Sequence, residues 1–498
     1  AGGSVSISND VVADLMPGSG VVSVSVTTLG ALDVPGLLQA LDRYPYGCSE
    51  QVVSRALPLL YVNELAGAEA LPIDLQREER VRNAIERVLS RQDSNGSFGL
   101  WSVGGDDIWL DAYVTDFLTR AREKGFAVPQ TAFDLALERL RNYVANTTEF
   151  ERGKGQELAY AIYVLARNGR PVMGDLRYLA DVRLSQFGSA MAQAQIAAAL
   201  ALLGDRRRAE TAFATAMATL RGERDTPASR PDYGSRLRDG AALLALLGEA
   251  GTGGAEIQQA SLVVDEARAD SRYTSTQEQA WMVLAAGALQ QENARLRLTV
   301  DGRGIDGPFY RNYRAATLDE GAVTIANTGS VDARVVVTVS GNPMAREGAL
   351  SRGYTVQRSY HRLDGTEVDP SSVRQNERLV TVLKGTEDQA RFARLLLVDH
   401  LPAGFEIDNP SLVDASSAAG LSWLQGTVQP AHVDYRDDRF VAAFDRDSNQ
   451  SAFITVAYMV RAVAPGRYVH PPATVEDMYR PERFGRTGFG TVEVTEAK

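Results

Sequence analysis

Along the first 29 residues apolar and polar positions alternate: Val5 and Ile7, then Val22, Val24 and Val26, with Pro17-Gly18-Ser19-Gly20 between them. A period of two marks half-buried strands, and the Pro-Gly run reads as the turn of a hairpin joining them. Two strands cannot bury a core alone, so their partners must come from further along the chain. From about residue 31 to 290 the period becomes helical. Amphipathic segments recur at 79–91, 107–123, 130–145, 155–168, 188–203, 206–220, 235–249 and 274–290, each broken by Gly, Pro or Asn. Residues 190–203 and 241–247 are apolar all round and predict inner helices covered on both sides, whereas Glu78-Glu79-Arg80-Val81-Arg82 predicts a charged outer face. Inner and outer helices in alternation predict an α/α-toroid, two concentric rings, with a superhelical stack of helix pairs as the alternative. Near residue 294 the alternation returns, through Leu296, Leu298 and Val300, then Val323 and Ile325, then Val335, Val337 and Val339. This stretch is the natural complement of residues 1–29. Beyond 345, strands near 354–360, 377–383, 392–398, 439–445 and 452–460 predict one more β-sandwich.

Composition narrows the function classes more than the fold. At 498 residues the chain has room for two to four domains. Hydrophobic residues at 44% and charged residues at 23% are ordinary for a globular protein. A net charge of −11 and the lack of any basic run argue against a nucleic-acid partner. No apolar run approaches the roughly 20 residues of a membrane helix. The single cysteine excludes an intrachain disulfide, so stability must come from the cores. The chain begins Ala1-Gly2-Gly3, with neither an initiator methionine nor a signal peptide, which suits a fragment of a longer protein or a mature product.

That single cysteine lies in Tyr44-Pro45-Tyr46-Gly47-Cys48-Ser49-Glu50-Gln51. If a helix starts near Gly47, positions i and i+3 share a face, and the Cys48 sulfur reaches the Gln51 carboxamide. A thiolate held there can displace ammonia and form an internal thioester, because orientation supplies effective molarities of about 10⁵ M or more. A helix N-terminus favours the thiolate both as attacking group and as leaving group. Against this stands the bland alternative, since a lone cysteine is most often a small buried hydrophobe and C-x-x-Q recurs by chance. The whole octet decides between them: it resembles the G-C-x-E-Q thioester motif of the α2-macroglobulin and complement family, with the aromatic lead-in of its bacterial branch.

The resemblance extends over essentially the whole chain. Gln92-Asp93-Ser94-Asn95-Gly96-Ser97-Phe98-Gly99 and Trp109-Leu110-Asp111-Ala112-Tyr113-Val114 resemble the glycine-rich turn and following helix of the family's thioester-bearing domain. On their own these are turn glycines and core aromatics and speak to fold. Leu401-Pro402-Ala403-Gly404-Phe405 and Pro471-Pro472-Ala473-Thr474-Val475-Glu476-Asp477-Met478-Tyr479 resemble its C-terminal macroglobulin domain. The implied fold is a multidomain α + β arrangement. Residues 1–30 and 293–344 would form a split CUB-type β-domain, 31–292 an inserted thioester-bearing α/α-toroid, and 345–498 a macroglobulin-like β-sandwich. The implied function is that of the C-terminal part of a bacterial, broad-spectrum protease inhibitor. It acts stoichiometrically, not as an enzyme: a lysine amine of a target protease, or a small amine such as methylamine, attacks the Gln51 acyl carbon and expels Cys48. The resemblance also implies a periplasmic protein, lipid-anchored in its full-length form.

A stored thioester needs a dry surround. Tyr44 and Tyr46 are placed to form one wall, and Met478 with Tyr479 matches the family's shielding loop on the other. The Pro-bounded composition of 471–481 predicts a stiff loop there and not a buried strand. Many relatives carry a histidine in the thioester domain that redirects the acyl group to hydroxyls. All four histidines here (His361, His400, His432 and His470) lie outside 31–290, which predicts direct reaction with amines. No two of them have metal-ligand spacing, and no cofactor or metal is expected. Asp106-Asp107 and Glu78-Glu79 read as helix N-terminal charges. Asn146-Thr147-Thr148 and Asn449-Gln450-Ser451 are weak glycosylation sequons. Two rival functions are a terpene-cyclase-type toroid enzyme, suggested by the single Q-x-x-x-G-x-F match at 92–98, and a thioester adhesin. The cyclase lacks a D-x-D-D acid here, and adhesins of that kind are β-rich around the cysteine.

Overall fold

The structure is a computed structural model and describes residues 2–30, 32–43, 47–65, 76–147, 149–225, 229–251, 254–408 and 421–497. The chain divides into two compact units, one from Ala1–Asp225, Asp232–Arg272 and Thr276–Met344, the other from Thr226–Pro231, Tyr273–Ser275 and Ala345–Lys498.

Among the described residues of the first unit, twelve of the helices form two rings. The outer ones are α1 (Val34–Arg43), α3 (Arg77–Leu89), α5 (Gln130–Asn146), α7 (Met173–Tyr178), α9 (Arg206–Gly222) and α11 (Gly254–Asp270). The inner ones are α2 (Ser49–Ala56), α4 (Ile108–Glu123), α6 (Gln156–Arg167), α8 (Ala190–Leu202), α10 (Arg236–Ala250) and α12 (Thr276–Ala286). Each inner helix packs on the next, and α12 packs back on α2, so the ring closes. That closure decides for the toroid over the open stack. Sequence explains which helix goes where. In α9 the buried set Ala209, Ala212, Phe213, Ala216, Met217 and Leu220 is a single stripe, as an outer helix requires. In α8 every residue from Ala190 to Leu200 is buried, and small alanines let neighbours approach on all sides. Ser189, Ser235 and Asp107 each accept a backbone N–H at the N-terminus of α8, α10 and α4, so buried helix starts are satisfied. The periodicity had not marked α11, because its stripe (Ala260, Val263, Val264, Ala267) is made of small residues beside an exposed Leu262.

Side chains also cross the inside of the ring. Helices α4 and α10 are not neighbours in the ring, yet they touch across it at both ends. At one end the Arg238 guanidinium lies 5.4 Å from the Trp109 ring centroid, and Trp109 packs on Tyr113, Tyr160 and Tyr233. At the other, the fully buried Arg120 pairs with Asp116 at 2.8 Å and with Glu249 at 2.6 Å, and donates to the hydroxyls of Tyr61 and Tyr163, both at 2.9 Å. Both links join residues early in one helix to early in the other, or late to late, so α4 and α10 run the same way.

The strands flanking the helices join into two small sheets. The expected hairpin over residues 1–29 does not form. Instead β1 (Ser4–Ile7) pairs with Val323–Asn327, while β2 (Val21–Thr27) runs between Phe309–Arg314 and Arg334–Ser340 in the other sheet. The two strands carry one face each of a shared core (Ile7, Val22, Val24, Val26, Leu298, Val300, Val323 and Ile325), so they must lie in opposite sheets to bury it. The polar face of β2 is buried as well, with Ser23 donating to Gln39 of α1.

The second unit is a sandwich. A six-stranded sheet is ordered His432–Tyr435, Arg439–Arg446, Ala393–His400, Ala473–Asp477, Arg480–Arg486, Leu350–Arg352. Against it lies a five-stranded sheet with Tyr354–His361, Arg378–Glu387 and Phe453–Ala462 at its centre. All five expected strands are present. The stiff loop expected at 471–481 is instead a β-hairpin, with Met478 and Tyr479 as its turn. Pro481 is tolerated because the pairing slips there, from Glu476↔Phe484 to Asp477↔Arg480, so its missing N–H falls in the irregular stretch. Within this unit the buried Asp477 carboxylate accepts from the Ser229 hydroxyl at 2.7 and 2.9 Å and from the Tyr479 N–H at 3.1 Å.

Two outcomes follow from these buried charges. Replacing Arg120 by Met strands Asp116 in the ring and should cost about 3–5 kcal/mol in denaturant unfolding, with Arg120→Met/Asp116→Leu recovering most of it. A double variant no more stable than the single one would remove the ion pair as the cause. Burial, opposed by the Ser229 and Tyr479 donors, pushes the Asp477 carboxyl up from 3.8 to about 6. The folded state therefore holds this proton more tightly than the unfolded one. The stabilising contribution is complete below pH 3.8 and is lost as pH rises through about 6. Asp477→Asn should flatten the fall in melting temperature over that window, and an unchanged slope would assign it to another group.

Candidate functional site

Helix α2 begins at Ser49, so Cys48 is its N-cap and Gln51 its third residue. The expected helix start near Gly47 is thus off by about one position, and the consequence is a tighter arrangement than a shared face. The two residues form a reciprocal capping box: the Gln51 N–H donates to Cys48 Sγ at 3.5 Å, and the Cys48 N–H donates to Gln51 Oε1 at 3.4 Å. Sulfur and carboxamide are thereby held at one helix end, both side chains fully buried. The helix N-terminus and the Gln51 amide favour negative charge on the sulfur. The Cys48 amide points at the oxygen that gains charge when the carboxamide carbon is attacked, the role of an oxyanion donor. Tyr44 and Tyr46 lie outside the described residues.

The frame behind this pair comes from α3 and the glycine-rich turn. Arg91, two residues past α3, donates to the Gly47 carbonyl at 2.7 Å, to Ser49 Oγ at 3.1 Å and to the Leu100 carbonyl at 3.2 Å. Ser49 in turn donates to the carbonyls of Gly99, at 2.6 Å, and Leu100, at 2.8 Å. Gly99 of the turn is needed for space: a Cβ there would sit 1.8 Å from the Ser102 carbonyl oxygen. Asp111 of α4 holds the turn from below, accepting the Phe98 N–H at 2.6 Å and Arg139 at 3.2 Å. Burial outweighs those two donors and pushes the Asp111 carboxyl up to about 7.

Glu50, between Cys48 and Gln51 in sequence, bonds to other partners. Its buried carboxylate accepts from Thr276 at 3.0 Å and from Gln277 at 2.8 Å, both in the first turn of α12, and from Ser54, which also bonds Tyr113 of α4 at 2.8 Å. Gln92 and Trp109 serve the fold, as read from the sequence. Gln92 donates to the Ala132 carbonyl, and Trp109 packs in the ring centre. Asp107 caps α4, while Glu78 and Glu79 occupy the first turn of α3. Met478 and Tyr479 belong to the second unit and are each 3% exposed. Sequence reasoning missed Arg91, Thr276 and Gln277. None has a periodic signal, and each matters through a partner far away in the chain.

A model of the A-macroglobulin TED domain matches residues 21–146, and one of the bacterial alpha-2-macroglobulin MG10 domain matches residues 353–482. Alpha-2-macroglobulin of Escherichia coli is 32% identical over 476 residues, covering 91% of this chain and 28% of the relative. That of Xylella fastidiosa is 31% identical over 97% of this chain and 31% of its own length. The chain thus spans under a third of the curated relatives it matches. Among solved structures, native E. coli alpha-2-macroglobulin from domain MG7 to the C-terminus superposes with a TM-score of 0.84 at 28% identity, over 99% of this chain and 80% of that one. Salmonella alpha-2-macroglobulin reacted with methylamine gives 0.85 at 32% identity, over 99% of this chain and 33% of that one. The two matched domains, in this order and over this fold, show that the chain belongs to the bacterial alpha-2-macroglobulin family and corresponds to the C-terminal portion of its members.

Proposed function

We propose that this chain carries the covalent step of a broad-spectrum protease inhibitor, through an internal thioester between Cys48 and Gln51. The observation that carries the reading is the reciprocal capping box, which holds sulfur and carboxamide together in a fully buried helix start. Cys48 Sγ, as thiolate, attacks Gln51 Cδ; the C–N bond breaks, and the nitrogen takes up the proton the thiol gave up and leaves as ammonia. A neutral lysine amine later attacks the same carbon, the C–S bond breaks with its electron pair on sulfur, and the amine proton goes to water. An amide to the target remains, so the protein reacts once and does not turn over. Support comes from the relative that reacts with methylamine, a small amine of the kind this chemistry accepts. The contacts of α4 with α10 across the ring, Arg238 over Trp109 and Arg120 with Glu249, weigh against the cyclase reading, which needs a chamber there.

The intact chain should weigh one ammonia less than its sequence mass, and methylamine should restore that mass while freeing one thiol. Cys48→Ala should abolish amine uptake with little change in melting, because a link between residues three apart closes almost no loop. Glycerol at matched concentration should leave far fewer adducts than methylamine. Equal labelling of Cys48→Ala by a fluorescent amine would end this reading.

The shielding role of Met478 and Tyr479 is proposed on their deep burial in a hairpin turn. Met478→Ala should cost about 1–3 kcal/mol of stability. Its larger effect should be kinetic, with faster spontaneous and methylamine-driven thiol release than wild type, followed with a colorimetric thiol reagent. Identical rates would return Met478 to ordinary packing.

A further inference from the structure

The reactive pair is bracketed by guanidinium groups that its own motif does not contain. Arg91 grips Cys48 from both flanking residues, taking the carbonyl of Gly47 at 2.7 Å and the hydroxyl of Ser49 at 3.1 Å with two arms of one fork. Its backbone is pinned in return, since the Arg91 carbonyl accepts from the N–H groups of Gly99, at 3.2 Å, and Gly104, at 3.0 Å. Arg87, one helical turn earlier, sets its guanidinium beside Gly47, where an added Cβ would come 2.3 Å from Arg87 Nη2 and push that flexible side chain aside. Only a planar, permanently charged fork can take two acceptors on opposite sides of one residue while keeping its charge beside the sulfur. Burial and the neighbouring Arg87 push Arg91 down from its ordinary value, and Cys48 pulls it back up, as expected for a guanidinium that senses charge on the sulfur.

We propose that Arg91 is a positioning residue for the thioester chemistry: its fork fixes the Cys48 backbone so that sulfur meets the Gln51 carboxamide, and its charge favours Cys48 as thiolate. The inference rests on the thioester reading. In formation, Arg91 favours the attacking thiolate as the C–S bond forms at Gln51 Cδ and the C–N bond breaks, the nitrogen taking up the proton the thiol gave up and leaving as ammonia. In aminolysis, it favours the same thiolate as it takes the electron pair of the breaking C–S bond. The charge and the fork are separable, because a lysine keeps one and loses the other.

The test uses wild type, Arg91→Gln and Arg91→Lys, each first weighed for the missing ammonia and then treated with methylamine. After treatment the freed Cys48 thiol is titrated by its ultraviolet thiolate absorbance. Arg91→Gln should titrate about one unit above wild type and release thiol to methylamine roughly tenfold more slowly. Arg91→Lys should titrate close to wild type, yet contain several-fold less thioester as isolated, because the fork is gone. A purely structural role would shift the two variants alike or leave the titration unmoved, and either result overturns the proposal. Should Arg91→Gln fail to fold, Arg91→Lys decides through its thioester content, and a content equal to wild type overturns the clamp. If wild type itself lacks the mass deficit and takes up no amine, the thioester reading fails first, a result distinct from any change between variants.

Discussion

Closing the inner ring is the constraint on which the first unit depends. Six helices in sequence order leave a seam between the last and the first, and that seam must be joined by contacts hundreds of residues apart. The Glu50 carboxylate supplies them, taking donors from Thr276 and Gln277 on α12 while Ser54 links it to Tyr113 on α4. A buried carboxylate is costly unless its acceptor sites are used, and here the use of those sites is the seam itself. Cys48 and Gln51 sit on the two sides of Glu50 in sequence. Their capping box is therefore built on a helix start that Glu50 ties to α12 and, through Ser54, to α4.

The same logic applies to the contacts across the ring. Helices α4 and α10 are linked across it by Arg238 over Trp109 at one mouth and by Arg120 with Glu249 at the other. Arg120 is fully buried and meets Asp116, Glu249 and two tyrosine hydroxyls, which answers its desolvation with directed bonds. Such pairs add little net stability over apolar packing, but they accept only one register of α4 against α10. A toroid built for catalysis would keep that space open. Here side chains of α4 and α10 meet at both ends of that space.

How much of this was legible beforehand depended on whether a signal was local. The alternation of striped and wholly apolar helices predicted the two rings, since α9 and α8 differ in sequence in the way their positions demand. The octet marked Cys48 and Gln51 because the motif is contiguous. What escaped is non-local. Residues 1–29 look like a hairpin, yet β1 and β2 pair with strands some 300 residues away, in different sheets. The turn at Met478 looked like a stiff loop because Pro481 argued against a strand, and only the slip in pairing beside it makes the proline harmless. Arg91 carries no pattern, and its meaning appears once Gly47, Ser49 and Leu100 converge on it.

A stored electrophile places an unusual demand on such a fold. A bond between Cys48 and Gln51 would close a loop of three residues inside an existing capping box, so it would constrain almost nothing that the helix start has not already fixed. The bond cannot then be what organises the site; the site must be organised to make the bond. That ordering is visible in where the fixed groups lie. Arg91 and the glycine turn hold the backbone before Cys48, Glu50 holds the helix after it, and the two amides of the capping box are aimed at sulfur and oxygen.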